Sequence, residues 1–298
     1  MFIDRLRTTR HIVVCYFLLL LSIFATCRSE AANKILFLGL FDNDTTFQVW
    51  SISSDGTNIR RLTNSQYQIT DLYQLNDPNH VAYSCESEIY LLDINSGESS
   101  LLVTREETNN KEELDIPYVS LSPDSSGIAI TKKIAGKYYL RYLSLSNVVK
   151  SGILYDRAIS AIVCVCWNRS DATTIYFLCD GVINKINITK KSLEQFTYAY
   201  NNIISFSISD DEKTSAINFF DKATNKSQVA IYNKDKLISV IASKYSSMDP
   251  HISRDGNILL YVDDYGLERN KLILYSILSK ETRVILEDKG AIASPILY

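Results

Sequence analysis

Few groups in this sequence could carry chemistry. Beyond residue 31 there are two histidines, His80 and His251. Imidazole titrates near neutrality and is the commonest general base. His80 falls in the polar turn after Asn76-Asp77-Pro78 and reads as solvated. His251 lies in a β-rich run, where a lone histidine packs or hydrogen-bonds more often than it catalyses. Three carboxylates stand near the starts of such runs: Asp71, Asp115 two residues before Pro117, and Asp249 next to Pro250. The pairs Asp42/Asp44 and Asp263/Asp264 do not match the ligand spacing of a calcium loop. No G-x-S-x-G, no H-E-x-x-H and no glycine-rich phosphate loop occurs, so the common hydrolase, zinc-peptidase and nucleotide signatures are missing.

The cysteines leave two readings open. Cys164 and Cys166 alternate along one predicted strand and Cys179 lies on the next, so Cys164 or Cys166 could pair with Cys179 in an oxidising compartment. Equally, all four of Cys85, Cys164, Cys166 and Cys179 could be small buried apolar side chains. Their spacing, with so few histidines, argues against a zinc site. Neither a metal nor an organic cofactor is expected.

What positions these groups is a repeat. In Asp249–Asp264, DPHISRDGNILLYVDD, a short strand runs into the turn Ser253-Arg254-Asp255-Gly256 and out into a second strand. Ser and Asp side chains close such turns on the backbone, and Gly256 can take positive φ. Ser or Asn markers of the same turn stand at 76, 122, 168, 209 and 253, at intervals of 46, 46, 41 and 44 residues. A later pair of β-rich runs follows each marker. Four strands per unit and a period in the forties predict propeller blades. The first unit, from Ile35, has three strands; a spare strand, Ala291–Tyr298, ends the chain 45 residues after Ser253. The predicted architecture is all-β: a six-bladed propeller of four-stranded antiparallel blades, closed by the C-terminal strand in the first blade.

The segments WSISSDGTNIRRLT, SLSPDSSGIAI and HISRDGNILLYV resemble the repeats of the TolB-like propeller family. The resemblance covers residues 34–298 and is strongest in the first, third and sixth units. It implies that residues at the starts of inner strands rim a central channel. On that basis Asp71, Asp115, Pro117, Asp249 and His251 are the expected contact surface. It also makes a bacterial envelope and a protein or peptide partner natural expectations.

The net charge of −3, with both signs mixed along the chain, gives nothing to hold a nucleic-acid backbone. Arg5, Arg7 and Arg10 precede a 15-residue apolar run, Ile12–Thr26. That pattern predicts a signal peptide over residues 1–31, with cleavage after Ala31 or Ala32, and a propeller over 32–298. A retained anchor or a lipidated Cys27 are the alternatives and the only routes to a membrane. The sequence therefore predicts an exported, periplasmic or secreted, non-enzymatic scaffold for a protein or peptide. A hydrolase or lyase working in the channel, or a glycan-binding propeller using some of the 19 tyrosines, are the competing readings.

Overall fold

In the computed structural model the described residues are 34–41, 44–86, 88–104, 118–134, 136–145, 152–158, 162–241, 243, 245–264 and 269–298. The leader reading falls outside them, as do Asp42, Asp115 and Pro117. Lys34–Tyr298 forms one compact unit. Its 24 strands among the described residues make six four-stranded antiparallel sheets. We number these blades 1–6 in chain order. The inner strands of blades 2–6 are Ile69–Gln74, Val119–Leu121, Ile162–Asn168, Ile203–Ile208 and Ser246–Ile252. Each blade then steps outward in sequence order.

The turn repeated in the sequence is built the same way three times. In blade 6 the Ser253 hydroxyl donates to Asp255 (2.5 Å), accepts the Ile258 N–H (2.9 Å), and Gly256 turns at φ 74°. Ser122 and Ser209 repeat this with Asp124 and Asp211, with Ser125 and Glu212 in the left-handed position. Hairpin geometry is thus fixed locally.

Blade 1 is completed from both ends of the chain. Its inner strand is Ala291–Leu297, paired antiparallel with Lys34–Leu40 in the register Leu36↔Ile296, Leu38↔Ala293 and Leu40↔Ala291. The Tyr298 N–H adds a bond to the Lys34 carbonyl at 2.7 Å. Closure covers the edge of Lys34–Leu40 that would otherwise lie open.

Burial follows the ring. The hydrophobic core among the described residues is six separate clusters, one between each pair of neighbouring blades. Each blade presents alternate side chains to both neighbours, as period-2 patterning requires. The tyrosines that suggested stacking platforms are largely consumed here: Tyr73, Tyr83, Tyr176, Tyr232 and Tyr261 are buried.

Candidate functional site

All six inner strands line one cavity of about 310 Å³ on the ring axis. Its wall is shaped by bulges. In blades 1, 4 and 6 two inner-strand residues oppose one residue of the next strand: Ser294-Pro295 against Phe37, Cys164-Val165 against Phe177, and Asp249-Pro250 against Tyr261. Ser294, Cys164 and Asp249 have φ of 46°, 51° and 49°. Left-handed backbone at non-glycine residues is costly and gathers at functional sites, and bulges re-aim side chains. The bulge also explains how Pro250 and Pro295 fit inside strands, since a bulged residue need not donate to the ladder.

Bulging sets Cys164 and Cys166 on a different face from Cys179, which favours the buried-thiol reading over the disulfide. Ile162 pairs with Cys179 and both pack between blades 3 and 4. Without the bulge Cys164 and Cys166 would share that face. The extra residue shifts their phase, so they pack toward blade 5 instead. Cys164, Cys166 and Cys179 stay as thiols, and the Cys164 Sγ donates to the Ile204 carbonyl at 3.1 Å.

Asp71, Asp249 and His251 all line the cavity, but not as one group. Asp71 and Asp249 lie toward the strand starts. Asp71 accepts the N–H of Leu72 at 3.1 Å, and Asp249 accepts the Ser294 N–H at 3.1 Å. Burial pushes the Asp71 carboxyl up to about 7, with the Asp249 charge adding to the rise. Burial likewise raises Asp249. Burial holds the neighbouring thiols protonated too, with Cys166 near 12 and Cys164 higher still, and the Asp71 charge adds to both.

His251 belongs to the opposite, turn end. There Arg169, only 9% exposed, spans the ring. From blade 4 its guanidinium donates to Asp210 Oδ1 (2.9 Å) and the Ile208 carbonyl (3.0 Å) in blade 5, and to the Ile252 carbonyl (2.7 Å) in blade 6. It reaches Gln74 Oε1 in blade 2 at 3.4 Å and stands 3.1 Å from His251 Nε2. Arg254 reaches from blade 6 to the Leu75 carbonyl at 3.0 Å. Burial, then the charges of Arg169 and Arg254, drives the His251 imidazole well below its usual range. It is a neutral acceptor in a structural network rather than a loose base. Sequence reasoning passed over Arg169. The available signal was position: Arg169, Asp210 and Arg254 each directly follow a turn marker.

His80, expected in a turn, opens the second strand of blade 2 and lies 2.6 Å from Asp77 on the outside of the cavity. Among the described residues no group of three or more His, Cys, Asp or Glu is placed to hold a metal ion.

No protein-family model and no curated protein sequence matches the chain. Solved structures do. The structure of TolB from Acinetobacter baumannii superposes with a TM-score of 0.70 at 19% identity, covering 89% of this chain and 66% of that one. The fold is that of the TolB-like six-bladed propellers. A putative TolB from Agrobacterium tumefaciens gives 0.62 at 13% identity, covering 89% and 97%. An oligogalacturonate lyase in complex with manganese gives 0.54 at 11%, covering 85% and 73%. This chain thus spans just under two thirds of the A. baumannii protein, and the same fold also houses a lyase.

The raised Asp71 carboxyl has a stability signature. A folded-state value above the unfolded one means that the native protein binds the extra proton between about pH 4 and 7. Stability contributed by this group therefore falls as pH rises through that window and is flat above it. Asp249, Cys164, Cys166, Tyr73 and Tyr118 are the titratable groups coupled to it. Asp71→Asn should match wild type in urea melts at pH 4 and exceed it at pH 8 by up to about 4 kcal/mol. Parallel curves across that range would remove the buried-charge assignment.

Proposed function

We propose that this propeller is a non-enzymatic scaffold that receives a protein or peptide partner at the Asp71/Asp249 end of its axial cavity. The observation that carries the reading is asymmetry. Arg169 is bonded across one end of the ring, while the other end opens past Tyr118, which lines the cavity and is 43% exposed. A cavity with one mouth suits capture of an inserted segment better than passage through it. His251, the one axial histidine, is engaged structurally and supplies no base for turnover. The charged start Arg5, Arg7 and Arg10 ahead of the apolar run Ile12–Thr26 supports export to the periplasm or beyond, with residues 1–31 as signal peptide and 32–298 as the mature propeller.

The test is a photo-crosslinking amino acid at Tyr118, compared with the same group at Leu278, which is 79% exposed away from the cavity. In envelope extract the Tyr118 probe should give a discrete adduct that the Leu278 probe does not. Identical adduct patterns, or none at Tyr118, would refute a mouth-directed partner. Amino-terminal sequencing of the exported protein should begin after Ala31 or Ala32.

A second reading rests on the acidity of Asp71. A carboxyl held near neutrality beside a second carboxyl is a competent proton donor in glycoside and lyase chemistry. Stoichiometric divalent metal in the purified protein, with turnover lost in Asp71→Asn, would move the assignment to an enzyme.

A further inference from the structure

The open end of the cavity carries negative charge that the protein itself leaves uncompensated. The Asp71 and Asp249 carboxylates each take one backbone N–H, from Leu72 and Ser294. Both side chains face the cavity, and neither forms an ion pair among the described residues. The buried Arg169 and the exposed Arg254 are turned to the far end and committed to Asp210 and to backbone carbonyls. A third polar group on the same wall lacks a partner: the Ser205 hydroxyl oxygen is fully buried and accepts and donates nothing. Buried polar atoms are rarely left so. Between these groups the wall is apolar, with Val165, Tyr118 and Ile296. Ile204, at the start of the blade 5 strand, is exposed beside them.

We propose that this end of the cavity binds the side chain of a lysine or arginine in the partner peptide, its charged head between Asp71 and Asp249, with the unpartnered Ser205 hydroxyl turning out of the wall to meet it. The inference rests on the mouth-binding reading above and supplies the chemistry of what enters. A methylene stem fits the apolar wall, and a head with several N–H donors matches two carboxylates and a hydroxyl. The strained backbone at Asp249 and Ser294 holds one carboxylate toward the axis through the Ser294 N–H. The native state sets two carboxylates at one end of the cavity while the cation that lines it, Arg169, is paired with Asp210 at the other, an arrangement that an entering cation relieves.

Cys164 lines the same cavity; burial holds its thiol protonated, so labelling is slow and the reporter is the ratio of rates between two reagents, not the rate itself. The intact protein is treated at pH 8 with 2-aminoethyl methanethiosulfonate, a cation, or 2-sulfonatoethyl methanethiosulfonate, an anion. In each, the thiolate displaces methanesulfinate and forms a disulfide, read by mass on the peptide holding Cys164 and Cys166. The cationic reagent should react faster by about tenfold or more, the scale of local counter-ion enrichment in a charged cleft. In Asp71→Asn/Asp249→Asn the ratio of the two rates should fall toward that of free cysteine. Using the ratio cancels any effect of the substitutions on the thiol. Equal rates in wild type would overturn the proposal.

The native protein gives a second arm that needs no variant. Acetyl-Gly-Ala-Lys-Ala-Gly-amide should slow labelling by the cationic reagent, and its norleucine analogue should not. Protection by Gly-Ala-norleucine-Ala-Gly-amide with a free amino terminus but not by the lysine peptide would overturn the side-chain assignment in favour of a chain terminus. Protection by calcium chloride but by neither peptide would overturn it in favour of an inorganic ion. Any of these failures leaves the Tyr118 crosslinking result standing on its own.

Discussion

Deleting Ala291–Tyr298 is expected to abolish cooperative folding. That strand is the inner strand of blade 1 and pairs with Lys34–Leu40 along its length. Its apolar side chains serve two interfaces at once. Ile296 packs between blades 1 and 2, and Ile292 and Leu297 pack between blades 6 and 1. All three are buried, and burying each contributes about 1.5–3 kcal/mol. The Tyr298 hydroxyl donates to the His80 carbonyl at 2.6 Å and accepts the Leu75 N–H at 3.0 Å, tying blade 1 to blade 2. Together these terms match the whole stability of a typical domain, about 5–15 kcal/mol. The deletion also exposes the inner edge of Lys34–Leu40, whose residues Ile35–Leu38 are buried in the closed ring. An apolar edge of that kind templates aggregation. The expected result is loss of the thermal transition and elution as aggregate. A circular permutant joining Tyr298 to Lys34 through a short linker, opened at another blade-to-blade turn, should keep the transition, because the Tyr298–Lys34 contact already brings those residues together. A deletion protein that melts as wild type would show that the ring does not close here.

That closure was legible because two independent periodicities agree. The turn marker returns every forty-odd residues, and the spare terminal strand lies one period beyond Ser253. The marker chemistry is local: Ser122, Ser209 and Ser253 each bond the Asp two residues on. The cavity wall was less legible. Period-2 reasoning places Cys164 and Cys166 on the face of Cys179, and it fails at one inserted residue. Nothing in Val163-Cys164-Val165 announces a bulge, whereas Pro250 and Pro295 do announce theirs. Asp71 and Asp249 could be set near the channel by counting along the repeat. Their mutual effect needs the ring, since the two residues are brought together only by closure. Asp115 and Pro117 lie outside the described residues. Arg169 was the least legible, because the residue after a turn marker points to solvent in most hairpins. Here the turns converge on an axis, and Arg169 and Asp210 from neighbouring blades meet at 2.9 Å.

Arg169 should therefore be the single most costly side chain to remove. Its guanidinium is buried, and burial alone depresses its basicity, which the Asp210 charge opposes. Four blades meet through it, counting its own. In Arg169→Ala, Asp210 and the carbonyls of Ile208 and Ile252 lose their donor together. Leaving one partner of a buried ion pair behind costs about 3–5 kcal/mol. For a protein of this size that lowers the melting temperature by roughly 6–20 °C. Lysine should not rescue it, because a point ammonium cannot reach several acceptors in one plane. The double variant Arg169→Met/Asp210→Asn should recover part of the loss, since it removes the orphaned charge and refills the volume. Asp210→Asn alone should cost less than Arg169→Ala, because the guanidinium keeps its carbonyl acceptors. If Arg169→Ala melts within a degree or two of wild type, the turn end is held by Arg254 and Tyr298 alone. The one-mouth cavity then loses its physical basis, for only a guanidinium fixed across the ring makes the two ends of the axis unequal.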